Sequence, residues 1–181
     1  MAILLEDGPA AGTIDNFDEL IRAIDRMPNA AGYTDALMRF AMPPEALAPF
    51  CEWNTRHYTR HCLHRTRRHE LLLICYEPGQ RTSIHDYDSQ TAWIKVLVGP
   101  VSEERFTAAA DGSVKRRDQR LLLPGELSHM DNASIVHRHS NAGPGRAITL
   151  NLYARPISRW RVYDERTGRA ALSGTGDSGR K

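Results

Sequence analysis

The chain has 181 residues, a formal net charge of +2 and three cysteines. This length fits a single domain that buries its own hydrophobic core without a framework of disulfides. The small net charge gives no reason to expect a polyanionic partner, so we predict that the protein does not bind nucleic acid.

The cysteines and the apolar runs indicate where the protein works. Cys51, Cys62 and Cys75 form no CxxC pair and no apolar leader is visible, which predicts free thiols in a reducing cytoplasm. The longest apolar runs, LLLIC at 71–75 and WIKVLV at 93–98, have the length of strands and are far too short to span a membrane. We therefore expect a cytoplasmic protein without a membrane partner, and the sequence leaves its oligomeric state open.

The first part of the chain has a helical pattern. Apolar residues recur at helical spacing in 16–27 and in 34–42, and a third short helix or turn follows after Pro43 and Pro44. These elements predict an N-terminal helical cap, residues 1–68, packed on a following barrel. The run RHCLHRTRRHE at 60–70 holds four arginines and three histidines, which favours a solvated face or a small-anion site.

From about residue 69 the pattern changes to short strands. Eight apolar or alternating runs, separated by Gly, Pro, Asp and Asn, are rich in β-branched residues. Strands of this number and spacing predict an all-β core, a double-sheet jelly roll or similar barrel over residues 69–172. The polar, glycine-rich end, residues 173–181, predicts a disordered tail.

Two predicted strands carry residues that could hold a metal ion. Residues two apart on a strand face the same way, so His85 and Tyr87 share one face, and His137 and His139 share another. Histidines on the inner faces of two barrel strands can converge on one ion, and nitrogen and oxygen donors with open positions are typical of non-haem iron. The alternative is that each histidine is a hydrogen-bonded core residue.

The same residues fit the motifs of a known fold. Gly79, His85, Tyr87 and Gly99 have the spacing of the first cupin motif, and His137 with Asn141 that of the second. More narrowly, the chain resembles the cysteine dioxygenase type I family of thiol dioxygenases. The resemblance rests on runs in the same order over about residues 50–168: YTR at 58–60, PGQRTSIHD at 78–86, WIKVLVG at 93–99, DNASIVHR at 131–138, LNLYARP at 150–156 and YDERTG at 163–168.

This resemblance implies a fold, a cofactor and a reaction. The family has a cupin double-stranded β-helix that binds Fe(II) through three histidines and adds both atoms of O2 to a small thiol, which gives a sulfinic acid. His85 and His137 match two of these ligands. Arg60, with Tyr58 beside it, matches the arginine that clamps the substrate carboxylate, and Tyr153 matches the active-site tyrosine.

The chain also departs from the family pattern. Tyr87 stands where the second histidine ligand belongs, and Ala92 where some members have a cysteine crosslinked to the tyrosine. In place of the family relay Ser-x-His-x-Tyr, the chain has Thr149, Asn151 and Tyr153. The relay histidine is therefore missing, and no such crosslink can form.

Tyr87 decides which metal chemistry is expected. A bound cation can stabilise a phenolate at neutral pH, and this hard anionic donor favours Fe(III) over the Fe(II) of the family reaction. We therefore expect Tyr87 as third ligand and a slower or altered reaction. Two alternatives remain open, in which water fills this position or His139 reaches in as a substitute ligand.

These observations predict an iron-dependent thiol dioxygenase that oxidises a small carboxylate-bearing thiol, such as L-cysteine, to its sulfinic acid. His85, Tyr87 and His137 would hold the metal, Arg60 and Tyr58 would bind the substrate, and Tyr153 would assist catalysis. The alternatives are a cupin metalloenzyme of changed reaction, such as a Tyr-ligated oxygenase or lyase, and a non-catalytic ligand-binding cupin. Two interpretations are open for the run Arg159, Trp160 and Arg161. It could form one wall of the expected pocket, or it could pack on a strand with the arginine charges in solvent.

Overall fold

The structure, a computed structural model, describes residues 12–87, 91–131, 135–167 and 169–174. The chain divides into two compact units, Met1–Pro43 and Pro44–Lys181. No helix in the described ranges is long and apolar enough to cross a lipid bilayer.

The first unit contains two short helices. Helix α1, Phe17–Arg26, begins after Asn16, whose side chain accepts a 2.8 Å hydrogen bond from the N–H of the third helical residue. Helix α2 spans Ala31–Arg39. The sequence pattern therefore located α1 within one residue at each end of 16–27, whereas α2 begins three residues before the predicted 34–42.

The second unit begins with a 3₁₀ helix, Pro44–Phe50, and continues with strands. In chain order the strands described are β1 Thr59–Arg65, β2 His69–Tyr76, β3 Ile84–Tyr87, β4 Thr91–Val98, β5 Val101–Ala108, β6 Val114–Leu122, β7 Leu127–Met130, β8 Val136–Asn141, β9 Ala147–Ala154, β10 Arg159–Asp164 and β11 Arg169–Gly174.

These strands form two antiparallel sheets. One has the order β1-β2-β9-β4-β7 and the other the order β11-β10-β3-β8-β5-β6. Neighbours in each sheet come from distant parts of the chain, so β9 pairs with both β2 and β4, and β8 pairs with both β3 and β5. The pairing of β3 with β8 brings the two predicted histidine strands side by side.

The main hydrophobic core of this unit draws on both sheets. Alternate residues of the central strands point inward, as expected for sheets with one face on a core. Its buried apolar side chains include Leu72, Ile74, Tyr76, Ile94, Val96, Val101, Leu122 and Met130. Tyr87, Tyr153 and Ile157 belong to the same cluster, so the candidate site lies within the packed interior.

The backbone explains why position 99, the last residue of the first cupin motif, is a glycine. Gly99 connects β4 to β5 with φ of 65°, a conformation that side chains disfavour. A Cβ atom at this position would lie 2.5 Å from the carbonyl oxygen of Arg146. The turn therefore requires a glycine, independently of any metal.

The predicted all-β double-sheet fold is confirmed. All eight predicted strand runs form strands, namely β2 to β6 and β8 to β10. The sequence pattern missed β1, which alternates charged and half-buried residues, β7, which has four residues, and β11, which follows the turn after β10.

The division into a cap at 1–68 and a barrel at 69–172 stays a prediction. Strand β1, Thr59–Arg65, lies inside the range assigned to the cap, and its arginines and histidines belong to a sheet edge. Of the predicted disordered tail, 173–181, the first two residues end β11, and residues 175–181 lie outside the described part of the chain.

Candidate metal centre

His85 and His137 lie side by side in the six-stranded sheet. His85 on β3 is the register partner of His137 on β8, and the two ring centroids are 4.4 Å apart. His137 is fully buried, and His85 is 9% exposed. The two histidines predicted from separate strands therefore meet at one place inside the barrel.

Both histidines are oriented in the same way by the backbone. Nδ1 of His85 lies 2.7 Å from the carbonyl oxygen of Ser83, and Nδ1 of His137 lies 3.1 Å from that of Ile135. Because a carbonyl oxygen only accepts, each Nδ1 carries the proton, and each Nε2 keeps a lone pair. Burial lowers the pKa of His85 to about 4 and the pKa of His137 well below its usual value, so both rings are neutral.

Tyr87 makes contact with both the histidines and Tyr153. Its hydroxyl oxygen lies 2.8 Å from Nε2 of His85 and 3.0 Å from the hydroxyl of Tyr153. Its ring centroid is 5.1 Å from that of His137. Burial raises the pKa of Tyr87 well above its usual value, which keeps the phenol neutral and able to donate a hydrogen bond.

The hydrogen bonds around Tyr87 have one consistent direction. Since Nε2 of His85 only accepts, Tyr87 donates to it, and the Tyr87 oxygen accepts from the hydroxyl of Tyr153. The Tyr153 oxygen accepts in turn from Nδ2 of Asn151 at 3.1 Å. Asn151 and Tyr153 are both buried and share one face of β9. Asn151 therefore supplies a donor to the tyrosine at the position of the family's relay histidine.

The orphaned nitrogen of His137 tests whether a metal fits. Its Nε2 is buried and has no hydrogen-bond partner among the residues that the structure describes. A buried polar atom without a partner is unfavourable and calls for an explanation. An ion bound to Nε2 of His137, Nε2 of His85 and the Tyr87 oxygen would give each of these atoms a partner, and this set of donors suits iron. The residues present therefore fit a metal.

His139, the alternative ligand, is engaged elsewhere. Its Nε2 lies 3.2 Å from Oε2 of Glu103, although its ring centroid is only 5.2 Å from that of His137. Glu103 is fully buried and also accepts hydrogen bonds from Arg105, Arg120 and Ser128. This arrangement gives no support to His139 as a substitute for Tyr87.

A cavity of about 70 Å³ opens beside the histidines. Its lining residues are Tyr58, Arg60, Ile74, Thr82, Ser83, His85, Tyr87, Tyr153, Ile157, Trp160 and Val162. All the predicted site residues except His137 are among them. Since both imidazoles are neutral, Arg60 is the charged group among these described residues, and the cavity is therefore suited to a small anion.

The walls of the cavity come from several strands. Arg60 on β1 pairs with Ile74 on β2, and Trp160 on β10 pairs with Tyr87 on β3. Trp160 is thus one of the wall residues, as the sequence suggested, whereas Arg159 and Arg161 are exposed.

Sequence reasoning missed several residues that shape the site. The carbonyl groups of Ser83 and Ile135 orient the histidines, and Ile157 forms a wall. The only feature of the sequence that could have indicated these carbonyl groups is their position, since each lies two residues before its histidine. Nothing in the pattern of apolar residues marked Ile157 as part of a pocket.

The chain matches a known protein family. A model of the family "Cysteine dioxygenase type I" matches residues 13–166. The cysteine dioxygenase type 1 of Danio rerio is 26% identical over 130 residues, which are 69% of this chain and 65% of that protein. The protein of the same name from Homo sapiens is 24% identical over 129 residues, which are 69% of this chain and 64% of that protein. The match thus spans about two thirds of the length of these relatives.

Solved structures support the fold. The protein TT1209 from Thermus thermophilus superposes with a TM-score of 0.51 at 19% identity, over 60% of this chain and 93% of that one. A conserved protein with a double-stranded β-helix domain from Klebsiella pneumoniae superposes with a TM-score of 0.52 at 15% identity, over 71% of this chain and 87% of that one. The predicted double-stranded β-helix fold is therefore confirmed.

Proposed function

Because the chain belongs to the cysteine dioxygenase type I family, we propose that it is an iron-dependent thiol dioxygenase. It oxidises a small carboxylate-bearing thiol such as L-cysteine, and both atoms of O2 enter the sulfinic acid product. The observation that carries the proposal is the pair of neutral imidazoles of His85 and His137, whose ring centroids lie 4.4 Å apart beside Tyr87 and of which His137 has a buried Nε2 without a partner among the described residues.

The metal ligands in this proposal are His85, His137 and Tyr87. Iron bound there would activate O2 and the thiol and hold them close together. The backbone carbonyls of Ser83 and Ile135 fix both imidazoles, so that each Nε2 offers its lone pair without a change of tautomer. Tyr87 must lose its proton to become an anionic ligand, which breaks its hydrogen bond to His85.

Arg60 and Tyr58 bind the substrate. A guanidinium can hold a carboxylate through two parallel hydrogen bonds, which orients the thiol end of a short substrate. The Tyr58 ring stacks on Tyr76 with centroids 5.6 Å apart, which fixes its position on the cavity wall. The small cavity limits the substrate to a few heavy atoms beyond its carboxylate.

Tyr153 assists at the reacting atoms. Its hydroxyl lines the cavity, and Asn151 donates a hydrogen bond to its oxygen. The Tyr153 proton therefore points away from Asn151 toward Tyr87 and the cavity, where it can stabilise a developing negative charge.

Tyr87 favours a second candidate function. A phenolate ligand stabilises Fe(III), whereas the family reaction starts from Fe(II), so the chain would be a cupin metalloenzyme of changed reaction, a Tyr-ligated oxygenase or lyase. A third candidate is a non-catalytic cupin that binds a small ligand. We also propose a cytoplasmic location, for which the free thiols of Cys51, Cys62 and Cys75 are the support.

Oxygen consumption by the iron-loaded protein tests the proposal. We expect uptake of O2 with L-cysteine or 3-mercaptopropionate, one sulfinic acid formed per O2, and no uptake with cysteamine, which lacks a carboxylate. Silence with all three thiols in protein that holds iron would contradict the proposed reaction and favour a changed one. Protein that binds the thiols but no metal would favour the non-catalytic candidate.

The variant Tyr87→His tests how much the ligand at position 87 determines the activity of the site. It restores the family's third histidine, and we expect faster oxidation of the preferred thiol than in the wild type. The matched variant Tyr87→Phe removes the ligand oxygen and should abolish any visible phenolate-to-Fe(III) band. A band that survives in Tyr87→Phe would show that Tyr87 is not a ligand.

A further inference from the structure

The segment 155–158, which follows β9, supplies one wall of the candidate substrate cavity. Ile157 is 2% exposed, lines the cavity and packs in the same core cluster as Tyr87 and Tyr153. Two residues earlier, Arg155 has φ of 90°. This left-handed conformation is strained for a residue with a side chain, so the surrounding structure must hold the segment in place.

Two hydrogen bonds, one to the residue before β2 and one to its second residue, hold this segment. The N–H of Arg155 donates to the carbonyl oxygen of Arg68 at 2.7 Å. The N–H of Ile157 donates to the carboxylate oxygen Oε2 of Glu70 at 3.1 Å. The first bond uses only backbone atoms, whereas the second depends on one side chain.

Glu70 is buried in an unusual position for a carboxylate. It is 6% exposed and stands on β2 as the register partner of Tyr153. Its second oxygen, Oε1, lies 3.3 Å from Nη1 of Arg65 on the neighbouring strand. A buried carboxylate is unfavourable unless its oxygens have partners, and here Arg65 and Ile157 provide them. The residue does not line the cavity itself, so its effect on the shape of the cavity acts through Ile157, whereas its charge also acts on Arg60.

We propose that Glu70 is a positioning residue that fixes Ile157 and thereby sets the shape of the substrate cavity. This inference rests on the proposed function of the same site. Without the carboxylate, the backbone strain at Arg155 relaxes by movement of the segment, and Ile157 leaves the wall. The cavity then widens opposite Arg60, and a small carboxylate-bearing thiol loses contacts on one side.

Amide hydrogen exchange, followed by NMR on the whole protein, tests the hydrogen bond directly. In Glu70→Ala we expect the Ile157 amide to exchange about 10- to 100-fold faster, because a bond to a charged acceptor is lost. Glu70→Gln keeps an oxygen acceptor and should stay within about threefold of the wild type. The amide of Leu73 in β2 is the internal reference, and its unchanged rate would show that the effect is local.

Calorimetric titration with 3-mercaptopropionate, without O2, tests the effect on the cavity. We expect the dissociation constant to rise about tenfold in Glu70→Ala, which is a loss of about 1.4 kcal/mol, and to remain near the wild-type value in Glu70→Gln. Arg65→Ala, which removes the ion pair and leaves the bond to Ile157, should also bind like the wild type. Rescue by Gln distinguishes positioning by this hydrogen bond from a general need for the charge.

The outcomes separate this proposal from the proposed reaction. Wild-type exchange of the Ile157 amide in Glu70→Ala, or an unchanged dissociation constant, would overturn the positioning role. A wild type that takes up no O2 would refute the dioxygenase reaction, and the exchange rates would still decide the role of Glu70.

Discussion

The hydroxyl of Tyr87 donates a 2.8 Å hydrogen bond to Nε2 of His85. This bond uses the lone pair that His85 would offer to a metal, whereas Nε2 of His137 has no partner among the described residues. Tyr87 is therefore both a proposed ligand and the group that satisfies the site when no metal is bound.

This double role predicts the effect of Tyr87→Phe on stability. The change leaves Nε2 of His85 without its donor and the proton of the Tyr153 hydroxyl without its acceptor, so we expect the metal-free protein to lose about 1–3 kcal/mol of its free energy of unfolding. Urea denaturation of the metal-free wild type and variant measures this difference. Equal midpoints would show that the bond seen in the structure contributes nothing.

The proposed role of Arg60 predicts that its substitution weakens the binding of carboxylate-bearing thiols. Arg60→Lys keeps the positive charge but loses the bidentate geometry, and we expect the KM for carboxylate thiols to rise about 10- to 100-fold, as for a lost charge-assisted hydrogen bond. Steady-state kinetics with L-cysteine and 3-mercaptopropionate provide the measurement. A fall in kcat with unchanged KM would mean that Arg60 does not bind the carboxylate.

Asn151 predicts an effect that acts through Tyr153. Asn151→Ala removes the donor that orients the Tyr153 hydroxyl, and we expect kcat to fall about tenfold with little change in KM. Asn151→His restores the residue type of the family relay and should keep most of the activity. If Asn151→Ala and Asn151→His lower kcat equally, the hydrogen-bond donor at position 151 does not support catalysis through Tyr153.

We expect the ionised carboxylate of Glu103 to stabilise the folded protein, and we expect this contribution to be lost in acid. Burial opposes its ionisation, but His139, Ser128 and Arg120 outweigh that effect and hold the pKa of the Glu103 carboxyl well below its usual range. A carboxyl whose pKa is lowered by folding stabilises the protein above its unfolded pKa of about 4.3, and this stabilisation is lost as the pH falls below it.

Glu103→Ala tests this contribution, and Glu52→Ala, at an exposed carboxylate elsewhere in the chain, is its control. Glu103→Ala removes the buried acceptor of Arg105, Arg120 and Ser128 and should lose about 1–3 kcal/mol at pH 7, whereas the exposed Glu52 should matter by less than about 0.5 kcal/mol. Denaturation between pH 7 and pH 3 should show a smaller loss of stability in Glu103→Gln than in the wild type. An equal loss of stability with falling pH in both proteins would contradict the role given to the Glu103 carboxylate.

The sequence predicted those parts of the fold that local pattern determines. Eight strands were visible because their apolar residues alternate or run together between turn residues. β1 was missed, since an edge strand with one open side tolerates the charges of Arg60 and Arg65. The convergence of His85 and His137 was expected from their inward-facing positions and from the cupin resemblance, whereas the register pairing of their two strands was not predicted.

Other features of the site depend on tertiary contacts that no local pattern carries. The carbonyl of Ser83 orients His85 through backbone geometry, and any residue at that position offers a carbonyl. Glu70 reaches Ile157 across 87 positions of sequence. His139 was considered as a ligand because it shares a face with His137, and only the packing of β5 against β8 shows that Glu103 is its partner.

We propose that Nε2 of His85 and Nε2 of His137 bind one metal ion. Elemental analysis of iron per chain, in the wild type and in His137→Ala, tests it most directly. We expect about one iron per chain in the wild type after loading with Fe(II), and a fall of about 10-fold or more in the variant at the same free metal concentration. A wild type without stoichiometric transition metal, or a variant that binds iron as well as the wild type, would contradict it.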